Sequence, residues 1–144
     1  MTEKRFTLRV AVYIILIKGE KVLLSRRFNT GWMDGKYSLI SGHIDGNESI
    51  SKAMIREAKE EIGIKIIKKD LIPITVLHRK SGIEYMDFFY LVKKWSGQPR
   101  IMEPEKCDDL NWFFLSKLPK SILPHIREVI QNYKKSVPFF EFGW

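Results

Sequence analysis

The segment that decides the fold is GHIDGNESISKAMIREAKEEIGI, residues 42–64. Within it, apolar side chains recur every four residues at Ile50, Met54, Ala58 and Ile62. This periodicity predicts an amphipathic helix over residues 49–62, because positions four apart lie on one face of a helix. Gly63 provides a stop, since glycine readily adopts the left-handed conformation that ends many helices. A glycine-bearing loop therefore leads directly into a helix.

Three glutamates project from one edge of this helix. Glu57 and Glu61 are four residues apart, and Glu60 is three from Glu57, so the carboxylates are neighbours that repel one another. The repulsion costs about 0.2–0.5 kcal/mol per pair. Taken alone, the glutamates are most simply explained as a solvated acidic face. A hard divalent cation such as Mg²⁺ would instead turn them into a cluster of oxygen ligands.

The spacing of the residues around the glutamates favours the cation. Gly42 is followed after five residues by Glu48, and after seven more by REAKEEIGI at residues 56–64. This pattern is the Nudix box, and the chain resembles the Nudix hydrolases. Residues 39–45, LISGHID, are similar to the loop of MutT-like members, with Ser41 in place of their usual first glycine. Residues 103–113 are similar to a segment of the nucleoside triphosphate diphosphatases in that branch.

The resemblance implies an α/β/α sandwich with a mixed central sheet and a Nudix loop-helix. It also implies a metal site. Glu57 and Glu61 would be the principal ligands of Mg²⁺, or of Mn²⁺, with Glu60 as an additional ligand. The carbonyl oxygen of Ser41 or Gly42 would be a further one.

The resemblance assigns roles to the neighbouring residues as well. Arg56 would orient the glutamates through charge-assisted hydrogen bonds, and Glu48 would join the loop to the helix. A carboxylate would take the proton of the attacking water. The candidates for that base are Glu57, Glu60, Glu103 and Glu105, with Glu105 slightly favoured.

The rest of the chain predicts strands around this unit. A hairpin is expected from residues 8–17 to residues 22–24. Further strands are predicted, in chain order, at residues 37–40, 64–77, 84–94 and 110–115. A second helix is expected after Pro124, and the aromatic stretch FFEFGW at residues 139–144 fits no predicted element. We expect one α/β domain over residues 1–144.

Composition excludes several protein classes. The chain has 144 residues, of which 44% are hydrophobic, and this content argues against disorder. The single Cys107 excludes an intramolecular disulfide and is expected to be a buried thiol in a cytoplasmic protein. The longest apolar stretch, Val10–Ile17, is far shorter than the roughly 20 residues that cross a bilayer. No export signal and no membrane partner are therefore expected.

Other residues are candidates for substrate binding. Arg26 and Arg27 end the predicted hairpin, where a cation could hold a terminal phosphate. Phe28, Trp32 and Phe88 could stack on a base, although a core or staple role is the simpler interpretation of each.

The formal net charge of +8 permits several polyanionic partners. The lysines are scattered along the sequence without interleaved aromatic residues, so nucleic acid is a possible but not a favoured partner. We expect a nucleotide substrate and either a monomer or a homodimer.

The expected reaction is Mg²⁺-dependent hydrolysis of nucleoside triphosphates, or modified ones, to a monophosphate and pyrophosphate. The alternatives are cleavage of ADP-ribose or other nucleotide sugars, of dinucleoside polyphosphates, or of RNA 5′ ends. A noncatalytic nucleotide or RNA sensor is the alternative outside the enzymes.

Overall fold

The computed structural model describes residues 3–135 and 137–144. In this part of the chain the strands are β1 Arg9–Lys18, β2 Lys21–Arg27, β3 Tyr37–Ser38, β4 Ile40–His43, β5 Ile72–Ser81, β6 Ile83–Val92, β7 Cys107–Phe114 and β8 Phe139–Phe142. The helices are α1 Ile50–Ile62 and α2 Pro124–Asn132, and 3₁₀ turns occupy Lys68–Asp70 and Tyr133–Lys135. None of the helices in the described ranges has the length and apolar character needed to cross a bilayer.

The sheet is mixed, as predicted, and β1 is its centre. On one edge β1 runs parallel to β6 from Arg9 to Leu16. On the other edge it pairs antiparallel with β4 in its first half and with β2 only at its end. β2 continues the sheet to β3 and β7, while β6 pairs with β5 and β5 pairs in parallel with β8.

Alternate residues of β1 face two separate cores. Val12, Ile14 and Leu16 pack with the apolar face of α1. Tyr13, Ile15 and Ile17 pack on the opposite side with the apolar face of α2. Burial on both faces explains why β1 is a nearly continuous apolar run rather than an alternating one. Each helix covers one face, which confirms the α/β/α sandwich; the single domain over residues 1–144 stays a prediction.

The ends of α1 confirm the helix predicted from the sequence. Ser49 is the N-cap, and its hydroxyl oxygen accepts a hydrogen bond from the Lys52 N–H at 3.2 Å. Gly63 has φ 70°, and its N–H donates to the Lys59 carbonyl at 3.1 Å. The left-handed conformation at this position is the one that glycine adopts without strain.

One prediction for the sheet was wrong in part, and one stretch without a prediction is a strand. Residues 64–71 are not strand, apart from a single bridge between Lys65 and Ser96, and β5 begins only at Ile72. Ile64 and Ile66 are buried in the core beneath α1. They are apolar because they pack against the helix, not because they belong to a strand. The tail that fitted no predicted element forms β8 against β5.

His125 is a buried polar residue in the core beneath α2. It is 5% exposed, its ring lies 5.7 Å from that of Phe142, and its Nε2 has no hydrogen-bond partner among the described residues. Burial lowers its pKa from 6.5 to about 3, because the charged imidazolium would lose its hydration. The folded protein therefore keeps His125 neutral in mild acid.

This burial predicts an acid-dependent loss of stability. In the unfolded chain His125 takes up a proton below its ordinary pKa of 6.5, whereas the folded protein does so only near pH 3. The free energy of unfolding should fall as the pH decreases between these values, by up to about 1.4 kcal/mol per pH unit from this residue. Urea denaturation at several pH values should show a flatter dependence for His125→Leu than for the wild type. The partly exposed His78, changed to Gln, is the control, and equal slopes for wild type and His125→Leu would contradict the assignment.

Candidate active site

The loop before α1 is held against the helix by the pairing of β4 with β1. This pairing joins Ala11–Ile14 to residues 40–43 and brings Gly42 beside the Glu57 side chain. A Cβ atom at position 42 would overlap the Glu57 carboxyl group, so only glycine fits. The φ of Gly42 is not positive, and the requirement is therefore one of space rather than of backbone conformation.

Ser41, where MutT-like loops have glycine, causes no backbone strain. It lies in β4 opposite Tyr13 and is not among the residues with positive φ. Its N–H points at Glu61 and donates a long hydrogen bond of 3.4 Å to Oε2. The substitution is therefore compatible with the loop geometry.

The Arg56 side chain connects the loop and the helix. It donates to both carboxylate oxygens of Glu48, at 3.1 Å and 2.7 Å, and to Glu57 Oε1 at 2.8 Å. It also donates to Glu60 Oε2 at 3.2 Å and to the carbonyl oxygen of His43 at 3.3 Å. Glu48 in turn accepts from the Asp45 N–H at 3.0 Å, so it joins the loop to the helix as the resemblance implied.

The three glutamates of the acidic face differ in exposure. The side chain of Glu57 is 13% exposed and that of Glu60 is 53% exposed. Burial raises the pKa of Glu57 despite its bond to Arg56. The loss of hydration, with the nearby charge of Glu57, raises the pKa of Glu61 to about 8. Among residues 3–135 and 137–144, the positive charge near Glu61, which comes from Arg27, is too weak to offset these two effects.

The donor set fits a hard divalent cation. Among the described residues no three acidic, His or Cys side chains converge on one point, because Glu57 and Glu60 are directed at Arg56. The available groups are nevertheless carboxylate oxygens, the donors that Mg²⁺ and Mn²⁺ take, with waters completing the shell. The space reserved at Gly42 brings its backbone against Glu57, and a bound cation would supply the positive partner that favours the ionised form of Glu61.

A cleft of about 410 Å³ opens beside these residues. Its lining includes Gly42, Glu61 and Glu103, together with Arg26 and Arg27 from the end of β2. The structure thus brings the predicted phosphate-binding residues and part of the predicted metal site into one cavity. Glu105, by contrast, is exposed and is not part of the lining.

The two arginines already have partners. Arg26 Nε lies 2.8 Å from Asp108 Oδ1. Arg27 donates to the Trp32 carbonyl at 2.7 Å and to the Thr30 hydroxyl at 2.9 Å, and its guanidinium lies over the Trp32 ring. A bound phosphate would therefore share or replace these contacts.

The aromatic residues proposed to stack on a base do not line the cleft, and two of them differ from the simpler sequence interpretation. Phe28 is 44% exposed and Trp32 is 37% exposed, which makes a core role wrong for both. Phe88 is partly buried. No sequence signal could have predicted the contact of Arg56 with the His43 carbonyl, because any residue type offers a backbone oxygen. Asp45, 3.3 Å from Arg56, was not distinguishable from a loop carboxylate in solvent.

Comparison with known proteins decides the family. The model of the NUDIX domain matches residues 7–133. The chain belongs to the NUDIX family. This NUDIX domain is also similar in fold to the MutT NUDIX hydrolase from Burkholderia pseudomallei, with a TM-score of 0.81 and 26% identity over 88% of this chain and 98% of that one. The resemblance to MutT-like members is thereby confirmed.

Other relatives show how varied the proteins with this domain are. One is the NAD-capped RNA hydrolase NudC of Stutzerimonas stutzeri (strain A1501), 23% identical over 109 residues. The match covers 76% of this chain and only 37% of that protein, so the NUDIX domain here spans well under half of its length. A bifunctional NMN adenylyltransferase/ADP ribose pyrophosphatase from Francisella tularensis, complexed with AMP and a Mn ion, shares the fold with a TM-score of 0.70 at 19% identity, covering 90% of this chain and 42% of that one.

Proposed function

We propose that this NUDIX domain is a divalent-metal-dependent hydrolase that cleaves nucleoside triphosphates, or modified ones, to a monophosphate and pyrophosphate. The observation that carries the proposal is the cleft that is lined by Glu61 and Gly42 together with Arg26 and Arg27. Such a cleft offers both carboxylates for a cation and positive charge for phosphates. The single cysteine supports a cytoplasmic location, and a monomer or a homodimer would suit the reaction equally.

Glu57, Glu60, Glu61 and the carbonyl oxygen of Gly42 would hold Mg²⁺ or Mn²⁺. Such a cation neutralises phosphate charge and lowers the pKa of a bound water. Arg56 keeps Glu57 and Glu60 beside each other in spite of their repulsion, through bonds of 2.8 Å and 3.2 Å. Its role is therefore to position the ligands.

A carboxylate must accept the proton from the attacking water. Glu57, Glu60, Glu103 and Glu105 were the candidates from the sequence. The position of Glu103 in the cleft lining supports Glu103 over Glu105, because a base must reach the water that it deprotonates.

The phosphate chain would lie toward Arg26 and Arg27. Arg26 is bound to Asp108 at the surface of the cleft, and a terminal phosphate with more negative charge would compete for it. Arg27 is fixed by the loop that follows β2, so its position is set before substrate arrives. Both features favour a charged triphosphate over an uncharged sugar.

Hydrolysis at the 5′ end of RNA is the second candidate. It is favoured by the description of the NudC relatives as NAD-capped RNA hydrolases and by the net charge of +8. A noncatalytic sensor would have less need for Arg56 bonded to Glu48, Glu57 and Glu60.

Metal dependence and the glutamate roles form one prediction. Activity should vanish in EDTA and return with Mg²⁺ or Mn²⁺.

Glu57→Gln and Glu61→Gln should each lower kcat by about 10²-fold or more, since the loss of one well-placed electrostatic group costs about 3–4 kcal/mol in the transition state. The measurement is pyrophosphate release by variants whose circular dichroism matches the wild type. Undiminished turnover in excess chelator would refute the mechanism.

The candidates for the base can be separated with a matched pair. Glu103→Gln should lower kcat at every pH tested, because it removes a carboxylate that lines the cleft. Glu105→Gln, two residues away and exposed, has the same change in charge and should have a smaller effect. Steady-state kinetics of both variants across pH is the measurement. The opposite ranking would restore Glu105 as the preferred base.

The substrate class follows from the arginines. The kcat/KM for at least one nucleoside triphosphate should exceed that for ADP-ribose and for diadenosine polyphosphates by tenfold or more, which corresponds to about 1.4 kcal/mol. Chromatography of the products at one Mg²⁺ concentration should show a monophosphate and pyrophosphate. Faster cleavage of ADP-ribose would overturn the triphosphate preference, and activity confined to RNA 5′ ends would establish the second candidate.

A further inference from the structure

A second cavity lies at the other end of β1 from the cleft. It has a volume of about 640 Å³ and shares no lining residue with the cleft. We call it the lysine groove, and its chemically active lining residues are Lys18, Lys93, Lys94, Trp95, Tyr133 and Lys134. Ala11 pairs with the cleft residue His43 and lies seven residues before Lys18 on β1. The distance between them along the strand is about 23 Å, at roughly 3.3 Å per residue.

The groove is assembled from three segments that are distant in sequence. Lys18 ends β1, Lys93 and Lys94 follow β6, and Lys134 lies in the turn after α2. The parallel pairing of Leu16 with Val92 brings the first two segments together. No acidic side chain is among the described residues that line the groove, so all of its charged lining residues are lysines.

Aromatic side chains accompany these lysines. Trp95 and Tyr133 are partly exposed in the groove wall. The Trp95 ring lies near that of Trp112, with centroids 6.0 Å apart at an interplanar angle of 23°. Trp95 also packs against the core beneath α1, and these contacts limit the movement of its ring.

The same surface continues past the groove. Lys18 pairs with Lys21 across the β1–β2 hairpin, and Lys21 Nζ lies 4.6 Å from the ring centre of Phe114. Phe114 is 52% exposed, which is unusual for a phenylalanine. A second lysine–aromatic pair therefore lies beside the groove.

We propose that the lysine groove binds single-stranded nucleic acid, with phosphates on its lysines and bases on Trp95 and Tyr133. Positive grooves with aromatic stacking surfaces suit single strands, because every base has a face and every nucleotide a negative charge. A duplex hides its base faces, and a lipid surface offers none. The groove would hold the body of a strand while the cleft remains free, a role additional to the hydrolysis proposed above.

The test measures binding without hydrolysis. The probe is a 3′-fluorescein oligouridylate of about ten nucleotides, within the roughly 4–16 that such sites take. It has a 5′-hydroxyl end and is titrated in EDTA, so it offers no diphosphate linkage. Anisotropy is recorded from 50 to 200 mM salt. A failure of the proposed hydrolysis would leave this measurement unaffected.

Replacing two groove lysines should weaken binding in a defined way. For Lys93→Gln/Lys94→Gln we expect at least tenfold weaker binding. The slope of log K against log salt should also become less steep by about 1.4, because two phosphate contacts are lost and each contributes about 0.7 to the slope. The control Lys80→Gln/Lys120→Gln removes the same charge at exposed positions, one near the end of β5 and one ahead of α2. It should bind like the wild type.

The aromatic contribution is tested separately. Trp95→Leu should weaken binding at least fivefold, whereas the control Trp144→Leu removes an exposed tryptophan that lies beside Lys80 and should have no effect. If Trp95→Leu unfolds, the exposed lysine pair still decides the question.

Four results would overturn the proposal. The first is that the wild type does not bind the oligonucleotide. The second is that Lys80→Gln/Lys120→Gln loses as much affinity as Lys93→Gln/Lys94→Gln. The third is that the wild type binds phosphatidylserine vesicles but not the oligonucleotide. The fourth is equal affinity for duplex RNA together with no effect in a folded Trp95→Leu, which would indicate a general polyanion surface.

Discussion

The loop, the helix and the acidic face depend on one guanidinium group, that of Arg56. Its planar fork of N–H donors reaches both oxygens of Glu48 and one oxygen each of Glu57 and Glu60. Lysine, with a single ammonium, could not satisfy that many acceptors in fixed directions. Without Arg56 the glutamates would repel one another, and the loop at residues 44–49 would lose its link to the helix. The loop and the helix are therefore joined before any ligand binds.

Strand β1 gives this assembly a rigid base. Its alternate side chains anchor α1 on one face of the sheet and α2 on the other. Its first half holds β4, and with it Gly42, against Glu57, while its end joins the β2 hairpin that carries Arg26 and Arg27. Residues of the cleft that are distant in sequence are thus positioned through one buried strand. Close packing on both faces leaves little freedom for their relative movement.

Periodicity and spacing predicted the parts of this protein that are encoded locally. The helix at residues 49–62 follows from one four-residue repeat, and its glutamate face from the same numbering. The sequence could not show that Ile64 and Ile66 are buried without being part of a strand, since a short apolar run is equally typical of strands and of other buried segments. Nor could it separate Glu103 from Glu105, because their directions depend on the turn in which the Glu103 carbonyl accepts from Lys106 and Cys107. The lysine groove joins three segments that look like scattered charge when they are read along the chain.

The strand β8 has a consequence for solubility. It covers the outer edge of β5, where Phe139–Phe142 pairs with Val76–Arg79 in parallel. The Trp144 indole N–H, just after β8, donates a hydrogen bond to the His78 carbonyl at 3.2 Å. At Gly143 the backbone lies so close to the Lys80 carbonyl that a side chain would not fit. A ten-residue strand with a free edge is a template for pairing with another copy of the chain. The aromatic stretch that fitted no predicted element is thus the outer strand of the sheet, and its four residues offer another chain fewer free N–H and C=O groups than the ten residues of β5 would.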